Sequence, residues 1–333
     1  MYSPGVVAFW DSRHSRSPTI TSLSRGLFRR FKMTLAQSFM LRARHRVGSV
    51  LLTMLWLGAA ANVRAEEKSL LWKISEGASS VYILGSIHYL RSENYPLKKA
   101  ILDAFDTSKK LVLEIDLNAT SGEAAQRLML EKALFRDGTT LPENIGAGTY
   151  QLAAERATQL GIDMRIFNPM KPWFAAINLI ATKLKALQLD PRRGVDQYLA
   201  GEAKRRGKPT SGLETMEFQI GLLDQLSKQN QEAILRETVT ELDLLDRNID
   251  EIVRSWVEGD ALVLAKLLLA GMVEFPEIHQ KVLVERNRRW LPEIEKSLEQ
   301  ASEALIVVGA AHLVGPDGII EMLKTKGYSV EQK

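Results

Sequence analysis

The chain has 333 residues, 45% of them hydrophobic, with 44 Lys and Arg against 40 Asp and Glu and no cysteine. It is too apolar and too balanced in charge to be disordered, and the missing cysteines exclude disulfides, thiolate zinc sites, a cysteine nucleophile and a lipid-modified N-terminal cysteine. A pI near 9 points to nucleic acid only until the charge is located: residues 1–65 hold 10 bases and one acid, leaving 34 bases against 39 acids in the rest, so no nucleic-acid partner is expected.

Residues 1–32 are rich in Ser and Arg without hydrophobic periodicity and read as a non-structural leader, with Met33 an alternative start. Residues 33–65 read as a signal peptide. Arg42, Arg44 and Arg46 precede an uncharged run from Val47 to Val63, and Val63-Arg64-Ala65 offers small residues for a cut after Ala65. The run is short of the roughly 20 apolar residues that a span prefers. A domain over 66–333, periplasmic or secreted and without a stable membrane span after cleavage, is therefore expected; an uncleaved leader would make it membrane-anchored.

Ser80 to Leu84 is a β-branched and aromatic run stopping at Gly85, and reads as a buried strand. Pro96 opens a helix carrying Leu97, Ile101, Leu102 and Phe105, and Leu111 to Ile115 is a second strand. The C-terminal end repeats the pattern: a strand over Ala304–Val308 ends at Gly309, a helix runs from Asp317 to Lys326, and Tyr328–Val330 starts a last strand. Between these ends lies a mainly helical middle from about Gly122 to Gln300. Its helices are expected over Trp173–Leu189, Asp196–Arg206, from Thr215, and over Gln231–Glu258, Ala261–Leu269 and Pro276–Gln300. The fold class is α/β, a mixed sheet built from two equivalent β-turn-α units and flanked by helices, with a mainly helical middle insertion.

The sharpest chemical feature is a pair of Gly-x-x-His elements, Gly85–His88 and Gly309–His312, each where a buried strand gives way to a loop. Ligands collect at that edge of a parallel sheet, and glycine lets the chain turn sharply there. Two interior imidazoles capping strand ends would look the same. Glu114 lies within the otherwise apolar strand Leu111 to Ile115, where a charge must be paired or bound to a metal; a helix-capping or arginine-paired carboxylate is the alternative. Asp116 shares its face and is expected to be solvated. Glu214 follows the short extended piece Thr210–Glu214 and precedes a helix, where it could also serve the macrodipole. Two His and two Glu converging in space would make either a divalent-metal site or a metal-free acid/base centre. Arg286 could clamp a carboxylate, although Glu285 and Arg289 also read as a surface pair. Lys171-Pro172-Trp173 reads as a helix start with a core aromatic, His279 as a surface or packing residue, and Ser86 lacks the elbow of a serine nucleophile.

With these pieces assembled, the chain resembles the TraB/PrgY/GumN family, which includes the Tiki proteases. The matching segments are Tyr82–His88, Leu111–Glu114, Lys171–Trp173, Gly194–Leu199, Gly212–Thr215, Glu285–Asn287 and Val308–Leu313. The resemblance implies an α/β fold related to erythromycin-esterase-like and haem-binding ChaN-like proteins. Its Tiki branch is a metal-dependent protease acting on secreted signalling proteins. It implies His88, Glu114, Glu214 and His312 as catalytic and metal-binding residues, Arg286 and Asn287 in support at the substrate, a divalent ion such as Mn, Co or Zn, and a peptide or protein substrate. A haem, metal or peptide carrier, or a metal-free esterase-type hydrolase, would use the same residues.

Overall fold

The computed structural model describes residues 68–120, 122–272 and 274–333; the leader, the signal peptide and the cut after Ala65 lie outside them. Six strands form one mixed sheet: β1 (Leu71–Glu76), β2 (Ser79–Ser86), β3 (Lys110–Leu113), β4 (Thr210–Gly212), β5 (Ala304–Gly309) and β6 (Ser329–Gln332). Their order is β4-β3-β5-β2-β1-β6. The first four in that order run parallel to one another, while β1 is antiparallel to both β2 and β6. Of the parallel strands, β2, β3 and β5 carry apolar runs because both faces are covered, and Ala304 to Val308 of β5 are fully buried.

Two features of the sheet were not anticipated. Strand β1 pairs with β2 across a tight turn in which Gly77 has φ +57°; the alternation of Trp72 and Ile74 with Lys73 and Ser75, followed by that glycine, is its sequence signal. The expected β-α-β unit also exists, but its strands are not neighbours. β5 inserts between β2 and β3, pairing Leu84 with Val307 on one side and Leu113 with the same Val307 on the other. No local pattern specifies which strand fills such a gap, because parallel neighbours are set by long-range closure.

The middle is mainly helical, as expected. Pro172 occupies the first turn of the helix Pro172–Ala186. Gly207, at φ +66°, ends the helix Val195–Arg206. The Thr215 hydroxyl caps Met216–Asp224 by accepting from Phe218 N at 3.1 Å. The single helix expected over Gln231–Glu258 is two, Lys228–Glu241 and Leu245–Glu258, joined by a turn. A π-helical turn, Gln280–Val284, leads into the helix Glu285–Glu299. The main core joins the sheet to this helix through Trp290, Ile294 and Leu298, and a second core gathers Leu141, Phe167, Leu179, Leu235 and Val239 within the middle. Among the described residues no helix is long and apolar enough to cross a membrane.

Candidate active site

The four parallel strands end on one edge of the sheet, and each releases one of the four proposed residues. His88 follows β2, Glu114 follows β3, Glu214 follows β4 and His312 ends the 3-10 turn after β5. This edge is where open α/β sheets bind ligands. Beyond the strand ends the ladder continues for two residues, with Leu213 N donating to Leu113 O and Glu214 N to Glu114 O, each at 2.9 Å. The two glutamates therefore stand side by side. Glu114 lies past the end of β3 rather than inside it.

Arg286 organises the site. Its residue is 5% exposed, and its guanidinium reaches four partners. Nη2 donates to Glu114 Oε2 and Glu214 Oε1, both at 2.6 Å, and Nε to Glu214 Oε1 at 3.1 Å. Nη1 donates to His312 Nε2 at 3.0 Å and to Val282 O at 3.1 Å. Every N–H of the group is used. The guanidinium also lies over the Trp290 ring, 4.6 Å from its centroid. The π-helical turn supplies Val282, the kind of bulge that recurs at functional sites.

Trp290 Nε1 donates to Glu214 Oε2 at 3.1 Å, and its ring packs 4.5 Å from that of His312. Asn287 Nδ2 donates to Asp317 O at 2.8 Å, which turns Oδ1 toward His312 Nδ1 at 2.6 Å. His312 is thus a neutral ring with its proton on Nδ1. Burial is the main cause, drawing its pKa down to about 3; the Glu114 charge opposes this, and Arg286 and His88 reinforce it. Burial works against ionisation of Glu114, but His312, Arg286, His88 and the Gly309 N–H outweigh it and hold the carboxyl at about 2. With His312 neutral near pH 7, the permanent cation among these is Arg286. Glu214, its side chain 1% exposed, is raised by burial despite Arg286.

His88 differs: its side chain is 59% exposed. Its Nδ1 donates to Asp196 Oδ2 at 3.1 Å, leaving Nε2 toward the site. Desolvation lowers its pKa, but the hydrogen bond and charge of Asp196, with Glu114, prevail and raise it to about 9. Asp196 comes from the first turn of Val195–Arg206, whose backbone docks on the His88 loop through Val195 N to Ile87 O at 3.0 Å. Gly194 permits this approach, since a Cβ there would lie 2.5 Å from His88 O.

The Gly-x-x-His glycines act by close approach rather than by unusual φ. A Cβ on Gly85 would meet Ala310 Cα at 3.2 Å; one on Gly309 would lie 3.2 Å from Glu114 Oε1, 3.6 Å from His312 Cδ2 and 4.0 Å from His88 Nε2. Both histidines and Glu114 therefore face one small space beside Gly309, whose N–H donates to Glu114 Oε1 at 2.7 Å. A pocket of about 110 Å³ bounded by Ser86, His88, Glu114, Asp196 and Gln219 adjoins it. A larger cleft of about 480 Å³ opens above, with the site as floor and Met129, Trp173, Ile177, Ile220, Leu223 and Met272 among its walls.

Asp116 is half-buried rather than solvated, because its Oδ1 accepts from Thr210 Oγ1 at 2.9 Å and from Asn118 N at 3.1 Å. His279 lies in the short helix Pro276–His279, half-buried. Arg289 stacks on Phe218, 4.2 Å from the ring centroid, where a surface pair with Glu285 was expected. Ser86 Oγ has no hydrogen-bond partner among the described residues, so no base activates it. Two further residues contribute to the site. Asp196 stood in the Gly194–Leu199 segment, whereas Gln219, which donates to Glu114 Oε2 at 2.9 Å, had no local signal.

The sequence pattern of the TraB/PrgY/gumN family matches residues 70–332. The chain belongs to that family. An uncharacterized protein of Treponema pallidum (strain Nichols) is 23% identical over 82% of this chain and 86% of its own length. The uncharacterized protein YbaP of Escherichia coli (strain K12) is 25% identical over 74% of this chain and 89% of its own. No solved structure matches.

A divalent ion, as the TraB/PrgY/gumN resemblance implies, would need open lone pairs on its ligands. His312 Nε2 accepts from Arg286, Glu214 gives its oxygens to Arg286 and Trp290, and Glu114 Oε2 accepts from Arg286 and Gln219. In this arrangement His88, Glu114, Glu214 and His312 do not fit a four-ligand ion.

Proposed function

We propose that this TraB/PrgY/gumN-family chain is a hydrolase that cleaves a carbonyl-centred bond, an amide or ester of a peptide or protein substrate, outside the cytoplasm. One observation carries the reading: Glu114 Oε1, which accepts from Gly309 N, and His88 Nε2, on a ring anchored by Asp196, face the same small space beneath a cleft. Environments that push two titratable groups apart mark the base and the acid.

Glu114 Oε1 is the base. It takes a proton from a water in the 110 Å³ pocket, which is large enough for one or more waters at roughly 30 Å³ each. The proton moves as the water oxygen bonds to the carbonyl carbon, so that no free hydroxide forms. His88 Nε2–H steadies the developing oxyanion and then protonates the leaving nitrogen or oxygen, while Asp196 stabilises the imidazolium. Return of the Glu114 proton to His88 through solvent closes the cycle. Arg286, with its donors engaged, and Asn287 act as positioning residues, holding Glu114, Glu214 and His312. The cleft walls support a substrate with an apolar group next to the bond. The signal-peptide pattern of residues 33–65 supports the location.

The test is a digest of a peptide library and an ester panel by the full chain and by its Glu114→Gln and His88→Ala variants. Wild-type turnover reduced at least a hundredfold in Glu114→Gln is expected (an order-of-magnitude expectation for a lost general base). No wild-type turnover, or turnover surviving both substitutions, would overturn the proposal.

A further inference from the structure

We propose that Arg286 is the resident cation of this site and stands in place of a divalent metal, so that His88, Glu114, Glu214 and His312 acquire affinity for such an ion only when the guanidinium is removed. The inference is independent of turnover, because it concerns what neutralises the carboxylates rather than what they do to a substrate.

Three features show that the guanidinium has a built place. The first is saturation: its N–H groups are shared among Glu114, Glu214, His312 Nε2 and Val282 O. The second is the π-helical turn, which puts the Val282 carbonyl within reach of Nη1. The third is Trp290, which stacks on the guanidinium and donates to Glu214, holding both partners of one ion pair. A planar fork with fixed donors suits two carboxylates side by side. An ion reaching His312 Nε2 would have to take the lone pair that Arg286 now uses, beside a charge that repels it. Without Arg286, two carboxylates and the His312 imidazole remain together, with His88 Nε2 facing the same space, and those are the donors that zinc, manganese and cobalt accept.

The experiment uses the full chain, with elemental analysis after purification and thermal unfolding with Mn²⁺, Co²⁺ or Zn²⁺, before and after chelation. Wild type and Arg286→Lys should carry well under one ion per chain and show no saturable shift in Tm. Arg286→Met should bind about one ion per chain, with Tm rising on the order of 5–10 °C at a hundredfold excess over Kd. Chelator should reverse the rise, and a further Glu214→Gln change should abolish it. A variant that folds only with metal supports the same conclusion. The proposal is overturned if wild type carries one ion per chain that His312→Ala releases, or if folded Arg286→Met gains no binding. Should Arg286→Met fail to fold under any condition, the metal content of wild type and Arg286→Lys decides.

Discussion

Replacing Arg286 with methionine leaves Glu114 and Glu214, with side chains 13% and 1% exposed, facing each other without their shared positive charge. Glu114 is held at about 2 against an ordinary 4.5 by His312, Arg286, His88 and the Gly309 N–H together; the whole difference is worth about 3 kcal/mol of stability at pH 7, and Arg286 accounts for a part of it. Removing one partner of a buried ion pair costs roughly 3–5 kcal/mol. The sign follows from the direction of the shift. A depressed carboxyl stabilises the fold above its ordinary value and loses that contribution as pH falls toward 2. The variant lacks the Arg286 part of that contribution at pH 7, and its unpaired carboxyls take up protons more readily as the solution is acidified. Its deficit against wild type should therefore be largest at neutral pH and narrow by about 1 kcal/mol or more at pH 4. Urea unfolding followed by far-ultraviolet circular dichroism at the two pH values measures both deficits. A deficit under about 1 kcal/mol at pH 7, or one that widens on acidification, would refute the account of Arg286.

Because Asp196 and Glu114 raise His88 to about 9, kcat/KM should hold through neutral pH and fall above about 9; in Asp196→Asn the falling limb should move toward the ordinary imidazole value of 6.5. An unmoved limb would remove His88 as the acid. Asn287→Leu strips the acceptor from His312 Nδ1 and the donor from Asp317 O; it should cost about 1–3 kcal/mol in urea unfolding and lower kcat more than it raises KM. Gly309→Ala puts a methyl 3.2 Å from Glu114 Oε1, and turnover should drop at least tenfold, on the order expected for a displaced base, while far-ultraviolet dichroism is unchanged. Full activity in that variant would mean that the space beside Gly309 is not where the reaction occurs.

Much of this was legible along the chain. The apolar runs ending at Gly85 and Gly309 marked strands, because burial on both faces selects such residues. Pro172 and Gly207 marked helix ends, because each acts through its own backbone. His88, Glu114, Glu214 and His312 stood out as polar residues next to buried segments, and the fold brings them to one edge. Arginine pairing of Glu114 stood beside the metal reading as an alternative, but the partner had no sequence signal: Arg286 lies 172 positions away.

The residues by themselves determined which segments are strands and helices and which polar groups must sit at strand ends, since those preferences act over a few neighbours. Tertiary structure alone decided that β5 separates β2 from β3, that Asp196 accepts from His88 and favours its protonated form, and that one guanidinium joins two carboxylates and an imidazole. The reason is physical: ionisation and hydrogen-bond partners depend on the charges and burial that distant segments bring together, and only the closed sheet brings them there.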